Sequence, residues 1–272
     1  MTLETFEHSA LDDRLKVTVT DAGLCLVRID QPRRRNALTL AMWQGLTQVF
    51  ARASEAPEVR SVVLTGEGGH FCAGADISEF DAVRYDSQSA AHYDAENDRA
   101  VAAIRDCPKP VIAAMSGAAV GGGLSLALAC DFRVADATLT AGIPAARLGL
   151  VYSLVDCTLL HTRLGVTRAK EILFSGRLFG LEDAVRLGLV DRVAGAAEDA
   201  LQAATAFAAE FEASAPLSVR GHKAIFQAME AGEVEARREE LEALISAAFD
   251  SDDYREGRRA FAERRDPVFT GR

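Results

Sequence analysis

The chain predicts an α/β fold whose final third is helical. Three observations carry this reading: a hairpin signal near the start, two buried strands that each run through a Gly/Ala-rich loop into a helix, and a succession of Ala-, Glu- and Arg-rich helical segments beyond about residue 165. Lys16 to Val19 and Leu24 to Asp30 flank Asp21-Ala22-Gly23, the turn chemistry of a β-hairpin. Thr39 is a plausible N-cap, because Leu40, Trp43, Leu46, Val49 and Phe50 then fall on one helical face. Val59 to Thr65 is apolar and β-branched, as a strand buried on both sides should be.

In residues 86–106, Ala90, Tyr93, Val101 and Ile104 share a helical stripe, with the charged residues turned away, and Pro108 and Pro110 end the helix. Val111 to Met115 is a second buried strand. Ser116 to Gly123 is nearly all small residues and reads as a loop before Leu124, Leu126 and Leu128 open another helix. Arg133 to Ala135 and Thr138 to Ala141 read as short strands, which gives repeated ββα-like units with no repeat in sequence identity.

Thr167 to Phe174, Leu181 to Leu187, Glu198 to Ala213, Pro216 to Ala231 and Val234 to Phe249 read as helices, with Gly165, Gly180, Gly188 and Gly195 at the stops between them. The chain thus divides into a core over 1–195 and a helical region over 196–272. The apolar stripes of that region must bury against the core or a neighbouring subunit.

Composition narrows the function. With 272 residues, 49% of them hydrophobic, the chain can bury a full core. A net charge of -10 argues against a nucleic-acid surface, which needs clustered Lys and Arg. Arg33, Arg34 and Arg35 form a local basic spot that suits either an anionic ligand or an exposed turn. Five scattered cysteines, with no C-x-x-C pair and no metal-ligand spacing to a histidine, read as buried thiols in a reducing compartment. Met1 to Arg14 lacks a signal-peptide core and no window resembles a membrane span, so the expectation is a cytoplasmic protein with no bound metal.

Two loops carry the chemistry: Phe71-Cys72-Ala73-Gly74-Ala75-Asp76-Ile77, and Gly117-Ala118-Ala119-Val120-Gly121-Gly122-Gly123. Small residues let a ligand approach the main chain, and N–H groups at a helix start have no internal partner. Two such donors converging on one carbonyl would make an oxyanion hole. Tight turns with close helix packing would need the same glycines.

These loops and their surroundings resemble the crotonase (enoyl-CoA hydratase/isomerase) superfamily from about Leu15 to the C-terminus. Arg35-Asn36-Ala37-Leu38 is similar to its N-A-L turn and Ala73-Gly74-Ala75-Asp76-Ile77 to its A-G-A-D-[IL] loop. Gly121-Gly122-Gly123 through Cys130-Asp131-Phe132-Arg133 is similar to its G-G-G…C-D-x-R segment, and the run from Ala169 to Val193 to a later family segment. The resemblance implies a spiral of ββα units with a helical C-terminal region. It further implies an acyl-CoA thioester substrate with no other cofactor, and a homotrimer or dimer of trimers. The amides of Ala75 and Gly122 would polarise the thioester carbonyl, and CoA would lie near Arg34, Ala37, Ala73, Ala75, Asp76, Ile77, Gly121 and Gly122. The Arg cluster would then pair with phosphate oxygens.

The family's hydratases carry two glutamates that handle water and its proton. Here those positions are Ser125 and Ala145, neither of which offers an acid–base group, so two-acid hydration is not expected. Leu148-Gly149-Leu150-Val151-Tyr152 is similar to the L-G-x-x-Y stretch of members that decarboxylate malonyl-type CoA esters. Tyr152 is therefore either a proton donor or a packing residue against the acyl chain. Loss of the missing groups also leaves a non-catalytic acyl-CoA binder as an alternative. Asp156 and Glu79 are nearby carboxylates that either act on the substrate from a new direction or serve as surface or capping residues. Ser125, three residues from Gly122 on the loop's side of its helix, is a candidate hydrogen-bonding residue. Gly123-Leu124-Ser125-Leu126-Ala127 lacks the last glycine of a nucleophile elbow. Of the histidines, only His70 lies near the first loop, and there is no phosphate loop or dinucleotide fingerprint.

Overall fold

The computed structural model describes residues 12–272. Most of the amino-terminal stretch read for a leader, and His8 with it, lies outside the described residues. Strands β1 (Leu15–Val19) and β2 (Leu24–Ile29) form the expected antiparallel hairpin, with Gly23 at φ +86° in its turn. Thr39 caps α1 (Leu40–Glu55) by accepting from the Met42 N–H, and Met42, Trp43, Leu46, Val49 and Phe50 form its buried face. Thr39→Ala is expected to cost about 1 kcal/mol, read from denaturant unfolding.

Strand β3 (Ser61–Gly66) runs parallel to β2, and a short helix α2 (Phe80–Val83) precedes α3 (Ser87–Asp106). Asp86 and Ser89 close a capping box at the start of α3. Tyr93, Val101 and Ile104 bury as expected, but so does Glu96, at 7% exposure. Its charge is tolerated there because Arg99 pairs with it one turn on.

Next come β4 (Val111–Met115), β5 (Ala118–Val120), α4 (Gly122–Ala129), β6 (Phe132–Ala135) and β7 (Thr140–Gly142). Strand β5 corrects the reading of residues 116–123 as a loop throughout. Its small side chains carry little β signal, and pairing with β7 (Ala118↔Thr140 to Val120↔Gly142) supplies what propensity does not.

The rest comprises α5 (Leu154–Leu164), α6 (Val166–Ser175), β8 (Leu178–Gly180), α7 (Leu181–Leu187), β9 (Arg192–Val193), α8 (Ala200–Ala209), α9 (Pro216–Ala231), α10 (Arg238–Asp250) and α11 (Asp252–Glu263). Helices α5 and α11 and strands β8 and β9 were not expected from the sequence. Four cysteines are buried, whereas Cys157 is half-buried. Among the described residues no helix is long and apolar enough to cross a membrane.

Six strands form a sheet in the order β1-β2-β3-β4-β6-β9, and β5, β7 and β8 form a second sheet. Strands β4 and β6 belong to the large sheet, while the strands that follow them, β5 and β7, belong to the small one. This is the spiral of repeated units that the resemblance implies. Both faces of the large sheet are covered, which explains why β3 is apolar without alternation. Val62 and Leu64 face the main core with α1 and α4, and Val63 packs with Ile112, Val134, Ala204 and Phe207 under α8.

Asp131 and Arg133 hold this frame together. Asp131 accepts from the Val111 N–H at 2.8 Å and from Lys223 Nζ at 2.6 Å, and the buried Arg133 pairs with Asp191 at 2.7 Å.

Candidate active site

The two small-residue loops meet where the second sheet frays into single bridges, Leu38↔Ala75 and Cys72↔Ala119, both parallel. The basic turn sets the first of these. Arg35 (φ 50°) and Asn36 (φ 59°) are left-handed, a conformation Asn tolerates better than most residues. The fully buried Asn36 side chain donates to Glu67 O at 2.8 Å and His70 O at 2.6 Å, and accepts from the Gln31 N–H at 2.9 Å. The turn is thereby fixed against the start of the first loop.

Leu38 N–H then donates to Gly74 O, and Asp76 N–H to Leu38 O. Because successive N–H groups of an extended chain point to opposite sides, the Ala75 N–H faces away from Leu38. In the second loop Gly121 N–H donates to Gly142 O, and Gly121 O receives the Leu124 and Ser125 amides as the helix cap. Gly122 is the first residue of α4, so its N–H has no intrahelical partner. Among the described residues neither Ala75 nor Gly122 donates its N–H to another protein group.

Close approach needs glycine in both loops. A Cβ on Gly74 would lie 2.8 Å from Val120 O and 3.2 Å from Gly122 N, and one on Gly123 would lie 2.1 Å from Cys72 O. Cys72 N–H donates to Ala118 O and Val120 N–H to Cys72 O, which locks the loops edge to edge.

Ala73, Ala75, Ile77, Gly121, Gly122 and Tyr152 border one cavity of about 190 Å³, together with Phe80, Arg84, Asp94, Asn97, Asp98, Ala145 and Asp156. Of the other residues singled out in the sequence, Arg34 is exposed and lies 3.8 Å from Asp76. Ala37 is buried behind the first loop. Asp76 caps the turn after that loop, accepting from Ser78 N–H and Oγ. Ser125 is buried and is not part of the cavity wall. His70 holds the backs of the loops, its Nδ1 accepting from the Ala118 N–H at 3.1 Å.

The Tyr152 hydroxyl sits 3.3 Å from where a Cβ on Gly121 would lie. Burial raises its pKa, with the Asp156 charge adding to the effect. Glu79 is a cap as expected, its Oε1 accepting from the Leu40 N–H at 2.6 Å.

Asp156 corrects its reading as a surface or capping carboxylate. It stands three residues after Ser153, the N-cap of α5, whose Oγ accepts the Asp156 N–H. Its carboxyl turns into the protein at 6% exposure and borders the cavity. Burial raises its pKa, the nearby Ser125 and Ser153 hydroxyls oppose this, and Asp98 and Asp94 add to the rise. The sequence signal was the Ser153-x-x-Asp156 spacing ahead of Leu159, Leu160 and Leu164, which marks a helix start.

Comparison with known proteins fits this architecture. Residues 19–272 match the family described as Enoyl-CoA hydratase/isomerase. The enoyl-CoA isomerase/hydratase fer4 of Mycosarcoma maydis is 33% identical over 92% of this chain and 93% of that protein. A crystal structure of an enoyl-CoA hydratase/isomerase family protein from Hyphomonas neptunium has a TM-score of 0.90 at 36% identity, covering 97% of this chain and 100% of that one. An enoyl-CoA hydratase structure from Bacillus anthracis has a TM-score of 0.88 at 28% identity, over 96% and 100% of the two chains. The chain belongs to the enoyl-CoA hydratase/isomerase family of the crotonase superfamily.

Proposed function

We propose that this chain binds an acyl-CoA thioester and stabilises the enolate that forms on it between the Ala75 and Gly122 amides. One observation supports this most: two N–H groups from different loops, neither with a protein partner among the described residues, on the wall of the same cavity. Fixed donors of this kind favour the charge that develops on the thioester oxygen over the neutral carbonyl. Arg34 is exposed beside the first loop, where it suits a phosphate of CoA.

Lyase chemistry, by hydration or decarboxylation, is one use of this hole, and double-bond isomerisation through the same enolate is another. Two-glutamate hydration has no support, since Ser125 and Ala145 occupy those positions, so any hydration uses a rearranged acid–base set. Decarboxylation of a malonyl-type CoA ester is the second reading, favoured by the Tyr152 hydroxyl beside Gly121. Carbon dioxide leaves its bonding electrons on the enolate, and Tyr152 or water then protonates the carbon. Exposed Phe226, Phe249 and Phe261 on α9 to α11 support assembly as a trimer or pair of trimers, and the buried thiols support a cytoplasmic setting.

Assaying crotonyl-, 3-enoyl-, methylmalonyl- and ethylmalonyl-CoA with the purified protein tests the reading. Turnover of at least one ester is expected. If decarboxylation is the reaction, Tyr152→Phe should slow it by about 100-fold or more. Esters that raise the melting temperature without turning over would identify a binder instead, because a ligand of the native state stabilises it by mass action.

A further inference from the structure

A carboxyl group in this cavity lacks the partners its burial demands. Among the described residues, Asp156 Oδ1 is buried with no hydrogen-bond partner, although unpaired buried polar atoms cost free energy. Its other oxygen, Oδ2, lies 3.2 Å from Ser153 Oγ, which also lies 3.2 Å from Asp98 Oδ1. A serine hydroxyl has one proton to donate, and its oxygen already accepts the Asp156 N–H at 3.1 Å. Both carboxyl contacts are satisfied together only when one of the two carboxyls carries a proton and donates it to Ser153. Asp98 and Asp156 are thus linked through one hydroxyl, a pair able to share a proton, on a wall that Ala75 and Gly122 also line.

We infer that Asp156, coupled to Asp98 through Ser153, is the base that removes and returns a proton on the bound acyl chain, acting from α5 rather than from positions 125 or 145. This rests on the thioester reading above and gives it a substrate class, the 3-enoyl thioesters. The ionised Asp156 carboxylate takes a proton from C2, and the C–H electrons pass into a dienolate whose oxygen lies between the two amides. The resulting carboxylic acid gives the same proton to C4, and the double bond moves from C3–C4 to C2–C3. One proton leaves and one returns, so neither water nor an oxidant is consumed.

The groups facing Asp156 set its pH response. Asp94 and Asp98 on α3 and the burial itself disfavour ionisation, while Ser125 on α4 and Ser153 favour it. Tyr152 and Cys157 lie in its own segment, both raised by burial and further by its charge, and Arg84 borders the same cavity. Because the base acts ionised, kcat/KM should rise with pH through a limb above the ordinary Asp value of about 3.9. Asp98→Asn removes a neighbouring charge and should move that limb to lower pH.

The test compares the wild-type chain, Asp156→Asn and Asp98→Asn on 3-hexenoyl-CoA across pH, with butyryl-CoA binding measured by calorimetry. Asp156→Asn is expected to lose about 100- to 10,000-fold in kcat, with butyryl-CoA affinity within about threefold and no fall in melting temperature. Isomerisation in Asp156→Asn at the wild-type rate overturns the inference. So does a wild-type chain that binds butyryl-CoA but does not isomerise 3-hexenoyl-CoA, and in that case the thioester site stands. Absence of butyryl-CoA binding to the wild type overturns both readings.

Discussion

Gly122→Pro is expected to turn over its thioester about 100- to 1000-fold more slowly than Gly122→Ala, with both variants folded. Gly122 is the first residue of α4, where proline is well accepted because the N–H it lacks has no helical partner in any case. Both substitutions add a Cβ 3.1 Å from the Trp43 ring and 3.3 Å from Asn97 Nδ2, and proline also puts its ring Cδ where the N–H stood. Their difference reports the loss of the N–H together with the ring carbon that replaces it, and the expected gap corresponds to about 2.7 to 4 kcal/mol of transition-state stabilisation. Initial rates on the most active ester, with melting curves for both proteins, check it. Equal rates would show that this amide takes no part.

Gly123→Ala is expected to be the most damaging single-methyl change in the site. The added carbon would lie 2.1 Å from Cys72 O and 2.8 Å from Cys72 C, both main-chain atoms that no rotamer change can move aside. Cys72 is also bridged to Ala119, so relief would have to open the junction between the loops. The cost should reach about 3 kcal/mol, a fall of roughly 5 to 10 °C in melting temperature, measurable by calorimetry. Gly122→Ala, whose Cβ meets side chains that can shift by a few tenths of an ångström, should cost less.

What the sequence conveys about this site follows from how local each feature is. The placement of Ala75 and Gly122 on one cavity was legible because strand, small-residue loop and helix start are consecutive in the chain. Thr39 and the buried face of α1 were legible for the same reason. Strand β5 was not, since Ala118, Ala119 and Val120 become a strand only by pairing with β7 and bridging to Cys72. Helix α11 is rich in charge and is anchored by a long-range contact: the buried Asp253 accepts from the Thr270 and Gly271 amides at 2.7 and 2.8 Å. Asp156 is the most instructive case. Its place three residues after a serine cap invites a capping role, and only the packing of α5 against α4, with Ser153 in contact with Asp98 of α3, places its carboxyl at the cavity. The absence of glutamates at positions 125 and 145 is plain in the sequence, and so is a carboxyl at position 156, but not its burial beside the cavity.

The most direct measurement is the carbonyl stretching frequency of a carbonyl-¹³C-labelled, unreactive acyl-CoA bound to the protein. Two amide donors on that oxygen should lower the frequency relative to the free thioester, and Gly122→Pro should return part of the shift. A bound thioester with the frequency it has in water, unchanged by that substitution, would show that the oxygen does not sit between the two loops.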